Sequence, residues 1–199
     1  MFTGLIEATG VVESVQTIAT GRRVHVATPI AAELSDGDSI AVNGVCLTVT
    51  ERTAAGFSAT VSPETLRVTT LGTAAAGSRV NLELPLRHDG RLGGHFVLGH
   101  VDGVGRIVSI VPDGDCYWLE VEVPEDLAGY LIPKGSIAID GISLTIATLE
   151  KTRVRIQIVP FTWSHTALAA LAPGDGVNVE TDMIGKYVAR LMNLNGRNS

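Results

Sequence analysis

Hydrophobic and polar residues alternate along much of the chain, in short runs rich in β-branched residues. The clearest runs read RRVHVAT, LTVTERT, FSATVS, YWLEVEV and RVRIQIV. A period of two places successive side chains on opposite faces of a strand. Glycine, aspartate and proline interrupt the runs every 8–12 residues or so, which is typical of antiparallel β structure. The pattern therefore favours a mainly β fold, as a barrel or sandwich, over βαβ units.

Four segments break this alternation and have helical spacing. Three of them are short, at 63–69, 125–131 and 161–171. The fourth, at 182–195, begins with an aspartate that can act as an N-cap and carries five apolar residues on one helical face: Ile184, Tyr187, Val188, Leu191 and Met192. This terminal helix could cover its own barrel or join chains in an oligomer, and the pattern does not decide between them.

One phrase occurs twice in the chain. SIAVNGVCLTV at 39–49 returns as SIAIDGISLTI at 136–146, with identical residues at the Ser, Ile, Ala, Gly, Leu and Thr positions. The same offset relates Glu83 to Glu180, and a slightly shorter offset relates Gly4 to Gly99. A period this long indicates a duplicated domain instead of a solenoid. The two copies cover about 1–87 and 95–182, and the polar, glycine-rich PLRHDGRLGG at 85–94 joins them.

Three units therefore describe the chain. They are a first copy with its linker (1–94), a second copy (95–182) and a C-terminal helix and tail (183–199). We call residues related by the offset between the copies matched residues.

Composition and charge exclude several classes of function. The net charge is −6, the pI is about 5.3, and no basic stripe occurs, which argues against nucleic-acid binding. The first ten residues lack the features of a signal peptide, and no apolar run reaches the ~18 residues of a membrane span. With no export signal, we expect Cys46 and Cys116 to be free thiols in a reducing cytoplasm.

Candidate chemistry lies where matched residues differ. The histidines have no metal-ligand spacing, and neither a nucleophile elbow nor a phosphate-binding loop occurs. The polar differences include the matched pairs Cys46/Ser143, Leu5/His100, Gly37/Lys134, Asn43/Asp140, Glu64/Phe161 and Pro85/Asp182. Each residue alone could be structural, since a lone cysteine in a barrel is usually a small buried hydrophobe.

Two threonines in each copy add polar groups near these differences. Thr48 and Thr145 share the facing of Cys46 and Ser143 in an extended strand. Thr65 and Thr162 stand at the start of short helices, near free N–H groups. The pattern predicts two similar pockets for a polar, planar, hydrogen-bonding small molecule.

The set MFTGLIE, NGVCLTV, PETLR, GGHFVLGHVDG and KGSIAIDGISLTI resembles the α-chain type of riboflavin synthase over essentially the whole chain. The resemblance implies two tandem six-stranded antiparallel Greek-key barrels, each binding one lumazine, and a C-terminal helix. It also implies a homotrimer held partly by these helices, with the active site between the N-terminal barrel of one subunit and the C-terminal barrel of its neighbour. Association with a lumazine synthase shell is left open.

The activity implied by the resemblance is a dismutation of two molecules of 6,7-dimethyl-8-(1-D-ribityl)lumazine. One molecule donates a four-carbon unit to the other, giving riboflavin and 5-amino-6-(ribitylamino)uracil without a cofactor or metal. His100 is the first choice as the general base that removes a proton from the 7-methyl group. Cys46, Ser143 or a water that they position could add to C7 of the other lumazine, and Asp182 is a further catalytic candidate.

The resemblance also implies a set of ligand-binding positions. In the first copy these are Gly4, Leu5, Ile6, Cys46, Leu47, Thr48, Thr60, Val61, Ser62, Pro63, Glu64 and Thr65. In the second copy they are Gly99, His100, Val101, Lys134, Ser143, Leu144, Thr145, Gln157, Ile158, Val159, Pro160, Phe161 and Thr162. Phe2, His95 and Asp182 are expected in the site or directly behind it. Phe161 replaces the acid found at Glu64, which puts an acidic contact to the ribityl chain of the second ligand in doubt.

Two other functions compete with this one. A non-catalytic lumazine- or flavin-binding protein would share the duplication, and an unrelated β-barrel interaction module would bind protein or peptide in its groove. The joint presence of Cys46, His100, Lys134, Ser143 and Asp182 favours the enzyme.

Overall fold

The first copy folds into a closed barrel of six strands. The structure, a computed structural model, describes residues 1–195. The strands are Ala8–Ile18 (β1), Gly21–Ala27 (β2), Ser39–Val42 (β3), Val45–Arg52 (β4), Gly56–Val61 (β5) and Arg79–Glu83 (β6). They close in the order β1-β2-β5-β4-β3-β6, and all neighbours are antiparallel. Because β5 and β4 separate β2 from β3, the connection between those two crosses the barrel end, as in a Greek key.

The second copy repeats this order with one strand divided. Its strands are Gly103–Asp113 (β7), Cys116–Glu122 (β8), Ser136–Ile139 (β9), Ile142–Thr145 (β10), Thr148–Glu150 (β11), Arg153–Ile158 (β12) and Gly176–Thr181 (β13). The counterpart of β4 is split into β10 and β11, which form the two edges of a curled seven-stranded sheet.

Two residues between β10 and β11 explain the split. The Ile146 N–H donates to the Gly135 carbonyl (3.0 Å), whereas the Ala147 N–H donates to the Arg155 carbonyl (2.8 Å). The chain thus changes partner from one side of the sheet to the other over two residues. The six-strand count is confirmed for the first copy, and the second copy has seven strands because its fourth strand is interrupted here.

The helices lie close to the predicted segments. They are Pro63–Val68 (α1), Pro160–His165 (α2) and Met183–Asn195 (α3). The predicted helix at 161–171 breaks at Thr166, whose side chain caps a separate 3₁₀ helix at Ala167–Ala170. The segment predicted at 125–131 is a 3₁₀ helix at Glu125–Tyr130.

The terminal helix begins as expected, with the Asp182 carboxylate accepting from the Ile184 N–H (3.0 Å). Residues 196–199, the end of the predicted tail, lie outside the described residues. Within residues 1–195, no helix is long and apolar enough to cross a membrane.

Each barrel has its own apolar core, and a third cluster joins them. Phe57 is fully buried in the first core and Ile156 in the second. The third cluster consists of Phe2, Ala41, Val97 and Ala138, with Cys46 packed against it. Because Phe2 and Val97 are matched residues, as are Ala41 and Ala138, the barrels meet across an approximate two-fold axis.

Candidate active site

The N-terminal segments of the two copies pair with each other at this axis. The Phe2 N–H donates to the Val97 carbonyl (2.7 Å), and the Val97 N–H donates back to the Phe2 carbonyl (3.2 Å). Matched residues that pair with each other must lie on the axis itself. The pairing fixes where the following loops, Thr3–Ile6 and Leu98–Val101, leave the interface.

Two matched asparagines fasten the barrels together. The Asn81 side-chain amide donates to the Asp140 carbonyl (3.0 Å), and its oxygen accepts from the Ala167 N–H (2.7 Å). Asn178 makes the reciprocal bonds, to the Asn43 carbonyl (2.8 Å) and from the Thr70 N–H (2.7 Å). Both asparagines are buried, so these bonds form away from competing water and orient the barrels specifically.

Two buried glutamates hold the loops that follow the paired segments. Glu83 accepts from the backbone N–H groups of Thr3 (2.6 Å) and Gly4 (3.0 Å). Its matched residue Glu180 accepts from those of Leu98 (2.7 Å) and Gly99 (3.0 Å). Burial raises the pKa of both carboxyls, and the backbone donors oppose that shift. Neither glutamate is among the predicted site residues. Their identity at matched positions is the sequence feature that could have identified them.

The held loops cross to the opposite barrel. The Gly4 carbonyl accepts from the Ser143 N–H (2.8 Å), and the Gly99 carbonyl accepts from the Cys46 N–H (2.8 Å). Ile6 packs against the second core and Val101 against the first. Gly4–Ile6, which belong to the first copy, therefore lie against the second barrel, and Gly99–Val101 of the second copy lie against the first. Each pocket combines a barrel of one copy with a loop of the other.

Glycine is required where the loops cross. Gly4 has φ +77° and Gly99 has φ +78°, in the left-handed region. A β-carbon on Gly4 would lie 2.6 Å from Ser143 Cβ, and one on Gly99 would lie 2.6 Å from Cys46 Cβ. Both the dihedral angle and the close approach thus exclude a side chain.

Ser143 is bonded to a buried histidine. Its Oγ lies 2.7 Å from His95 Nδ1, and His95 is 8% exposed. Its other ring nitrogen, Nε2, is buried and has no hydrogen-bond partner among the described residues. Burial lowers the pKa of His95, and the negative charge of Asp182 opposes that shift. A neutral imidazole can accept the serine proton or orient the hydroxyl.

A cavity of about 200 Å³ opens beside Ser143. Its lining combines both copies: Gly4, Leu5, Ile6, Ile142, Ser143, Phe161, Thr162, His165 and Thr166. Ile142, His165 and Thr166 are additions to the predicted residues, and the only signal for His165 is its helical spacing from Phe161. We call this cavity the second pocket, after the copy that provides its barrel wall.

We call the region of the first copy that matches the second pocket, around Cys46, the first pocket. In β4 the side chains of Cys46 and Thr48 alternate with the buried Val45, Leu47 and Val49, so both share one side of the strand as predicted. They point away from the core of the first barrel, and Cys46 packs against the third cluster. His100 follows the crossing glycine and is exposed, and its N–H donates to Glu180 (3.1 Å). No hydrogen bond joins Cys46 to a histidine among residues 1–195, so its surroundings differ from those of Ser143.

Several predicted binding residues cannot offer their side chains to a ligand. Phe2, Val61 and Ile158 have no exposed surface and belong to the cores or the interface. The Thr65 N–H is bonded to the Ser62 side chain (3.2 Å), so the start of α1 supplies its own cap. At Phe2, Val61 and Ile158 only backbone groups could contact a ligand, whereas Thr65 is half-buried and could still offer its side chain.

Asp182 and Lys134 lie outside the second pocket. Asp182 caps α3 and lines the groove beneath it with Ser136. Lys134 is exposed and adopts φ +67°, while its N–H donates to the Ile146 carbonyl (2.7 Å). The negative charge of Asp182 still acts on His95, where it raises the pKa against the effect of burial.

Asp102 ties the start of α3 to the second barrel. Its carboxylate accepts from the Thr181 N–H (2.8 Å) and lies 2.7 Å from Lys186 Nζ. This contact fixes how α3 leaves the barrel.

Comparison with known proteins agrees with this architecture. The Lumazine binding domain family matches residues 3–85 and again 98–182. The chain is 42% identical to the riboflavin synthase of Bacillus subtilis, over 100% of this chain and 93% of that protein. It is 45% identical to the riboflavin synthase of Schizosaccharomyces pombe, over 96% of this chain and 94% of that one.

A solved structure shares the fold. The crystal structure of LumP complexed with riboflavin superposes with a TM-score of 0.86 and 25% identity, covering 91% of this chain and 99% of that one. The duplication, the crossed loops and full-length similarity to synthases from a bacterium and a yeast lead to one assignment. The chain belongs to the riboflavin synthase family.

Proposed function

We propose that the chain converts two molecules of 6,7-dimethyl-8-(1-D-ribityl)lumazine into riboflavin and 5-amino-6-(D-ribitylamino)uracil. The observation that carries this proposal is the pair of pockets with one backbone plan and different chemistry. The same ligand must bind twice, which suits a duplicated frame, but the two molecules must react differently. Ser143 with His95 in one pocket and Cys46 with His100 in the other provide that difference.

The reaction needs a base and a nucleophile at separate lumazines. His100 removes a proton from the 7-methyl group of the donor or acceptor beside it, and the ring delocalises the resulting anion. Ser143, Cys46 or a water held by one of them adds to C7 of the other molecule. The four-carbon unit forms two carbon–carbon bonds to the methyl carbons of one lumazine as its two carbon–nitrogen bonds in the other break, the protons from those methyl groups pass to the freed nitrogens, and the added nucleophile is expelled. Two identical lumazines therefore supply every atom of both products. No oxidant or reductant is consumed.

Two chains contribute to each complete site in this proposal. Small-molecule sites usually enclose about 300–1,000 Å³, whereas the second pocket encloses about 200 Å³. A first pocket from a neighbouring chain would complete the enclosure and bring the two rings together. Holding reactants face to face in this way can contribute roughly 7–11 kcal/mol in favourable cases.

The assembly proposed is a homotrimer with α3 at its contacts. Five apolar side chains of α3 are more than half exposed, so they do not cover their own barrel. The free cysteines Cys46 and Cys116 suit a reducing cytoplasm. Association with a lumazine synthase is tested by co-elution of the two proteins.

Incubating the purified chain with the lumazine alone tests the proposal. We expect one riboflavin for every two lumazines consumed, followed by its absorbance and by chromatography of both products. Binding without product over hours would support a non-catalytic lumazine-binding protein. A chain that retains neither lumazine nor riboflavin on dialysis would support an interaction module.

A further inference from the structure

We propose that Phe161 and His165, here called the aromatic pair, select the ligand of the second pocket by stacking on its flat heteroaromatic ring. By this proposal the second pocket recognises the ring, whereas the first pocket also recognises the polyhydroxyl chain. The inference rests on the proposed function, because it takes the lumazine as the ligand of both pockets.

The geometry of the aromatic pair leaves a ring face open beside Ser143. The two ring centroids are 3.9 Å apart and their planes differ by 13°. Both residues line the second pocket, yet Phe161 is 70% exposed. An aromatic residue this exposed has not buried its apolar surface within the chain. A planar ring entering the pocket could extend the stack.

The pair is held in place by its own helix. The His165 ring nitrogen Nδ1 lies 2.9 Å from the Phe161 carbonyl and 2.9 Å from Ser164 Oγ. Both rings are therefore oriented before any ligand binds, so less side-chain freedom is lost on binding.

Matched residues in the first copy have different chemistry. Phe161 matches Glu64 and His165 matches Val68. Glu64 is bonded to Arg67 through both carboxylate oxygens (2.6 and 2.9 Å). An ion pair on the rim can bind hydroxyl groups, whereas it offers no flat surface to a ring.

The crossing loops increase this difference. The second pocket receives Leu5, which is 49% exposed, where the first receives His100. Leu5 and Phe161 thus make the mouth of the second pocket apolar on both sides. A ligand there gains from burying its ring between these side chains, and Ser143, Thr162 and Thr166 are the hydroxyl groups that the lining leaves for its polar atoms.

A simpler role for the aromatic pair is to stabilise α2 as an i, i+4 contact on its surface. That role would be indifferent to ligand. Measurements of ligand affinity therefore distinguish the two roles, whereas measurements of folding do not.

The test compares two probes in calorimetric titrations of the full chain. One probe is the ribityllumazine, and the other is the same lumazine with a methyl group in place of the ribityl chain. Phe161→Leu keeps an apolar side chain but removes the aromatic face. We expect it to weaken binding of the methyl probe by between about fivefold and a hundredfold, with the unfolding temperature unchanged. His165→Val, which installs the matched residue, should weaken it less but in the same direction.

Glu64→Gln provides the matched control on the other rim. It should weaken the ribityllumazine at the first pocket and leave the methyl probe unchanged. Unchanged affinity of the methyl probe in both Phe161→Leu and His165→Val would overturn the inference, as would an equal loss in Glu64→Gln. Riboflavin formation by the unaltered chain is measured in parallel, because its absence would refute the proposed function and not the aromatic pair.

Discussion

His100 and Ser143 are the residues in which the two pockets differ most directly. His100 is exposed beside the first pocket, whereas Ser143 is bonded to the buried His95. Replacing His100 by alanine should lower the rate of riboflavin formation by about 10²–10⁴-fold, the usual contribution of a general base, with a far smaller change in lumazine affinity. Single-turnover kinetics and equilibrium titration measure the two quantities separately. An equal loss in both would assign His100 to anchoring.

Asp140 provides a second residue-level test, because the matched residue Asn43 makes the same contact without a charge. Asp140 accepts from the Asn178 N–H (2.8 Å) and Asn43 from the Asn81 N–H (2.7 Å). Burial raises the pKa of Asp140 from 3.8 to about 7. The folded protein therefore keeps this proton at pH values where the unfolded chain has lost it. The contribution of Asp140 to the free energy of unfolding is therefore greatest below about pH 4, and it is lost as pH rises through about 7.

Asp140→Asn should remove this loss. At pH 8 the variant should unfold at a higher temperature than the unaltered chain, with a free energy of unfolding larger by at most about 4 kcal/mol. This difference between the two proteins should narrow toward pH 4. Thermal unfolding across this range measures it. Glu83 and Glu180 titrate in both proteins and cancel in the difference. The reciprocal Asn43→Asp should lose stability above pH 7, though less, because Asn43 is only half-buried. A gap independent of pH would contradict the assignment to Asp140.

At the scale of elements, the crossed loops make each copy responsible for the other's pocket. Gly99→Ala should therefore disturb Cys46, which lies in the first copy, because the new β-carbon would lie 2.6 Å from Cys46 Cβ. Lumazine affinity at the first pocket should fall about tenfold or more, since even small misplacements are costly. The rate of Cys46 alkylation should change as well, and Cys116→Ala provides the background for that measurement.

Gly77→Ala is the control for Gly99→Ala. Gly77 has φ +93°, but a β-carbon there would meet nothing within 4 Å. It should therefore lose a similar amount of stability through backbone strain and leave Cys46 and lumazine binding unchanged. Equal effects in the two variants would mean that strain, and not the crossing, disturbs the pocket.

The sequence predicted the elements but not their crossing. Alternation located the strands because period-two burial is a local property, as in RVRIQI of β12, where exposed and buried residues alternate. The repeat predicted twin pockets because matched residues share one environment. No local sequence pattern predicts that the loop at Gly4 crosses to Ser143 of the other barrel, since this crossing depends on the pairing of Phe2 with Val97. The break of the second helix at Thr166 was missed for a similar reason, because apolar spacing continues through it.

At the scale of the whole molecule, the approximate two-fold axis within the chain builds two pockets on one plan, and the differences at matched residues make them unlike. Both pockets depend on the same interface of Phe2, Val97 and the two asparagines. A change at the interface therefore reaches both pockets at once, whereas a change on one rim reaches only one. This is why rim variants can assign roles to the pockets and interface variants cannot.

Assembly is the remaining property at this scale, and α3 is where it can be tested. Tyr187 and Leu191 lie one turn apart and are 64% and 59% exposed. Changing both to glutamate places charge on the apolar face without removing any core contact, so each barrel should still fold. We expect light scattering to show a monomer in place of the proposed trimer, and riboflavin formation to fall with the trimer because the proposed site combines two chains.

Arg190→Glu is the control for this experiment, since it alters the charge of an exposed residue on the same helix without touching the apolar face. It should remain trimeric and active. Activity of the double variant should return as its concentration rises, because mass action restores the contact, and activity should follow the trimer fraction throughout. A monomer with full activity at every concentration would place both lumazines within one chain and refute the intersubunit site, while leaving the two pockets and their chemistry intact.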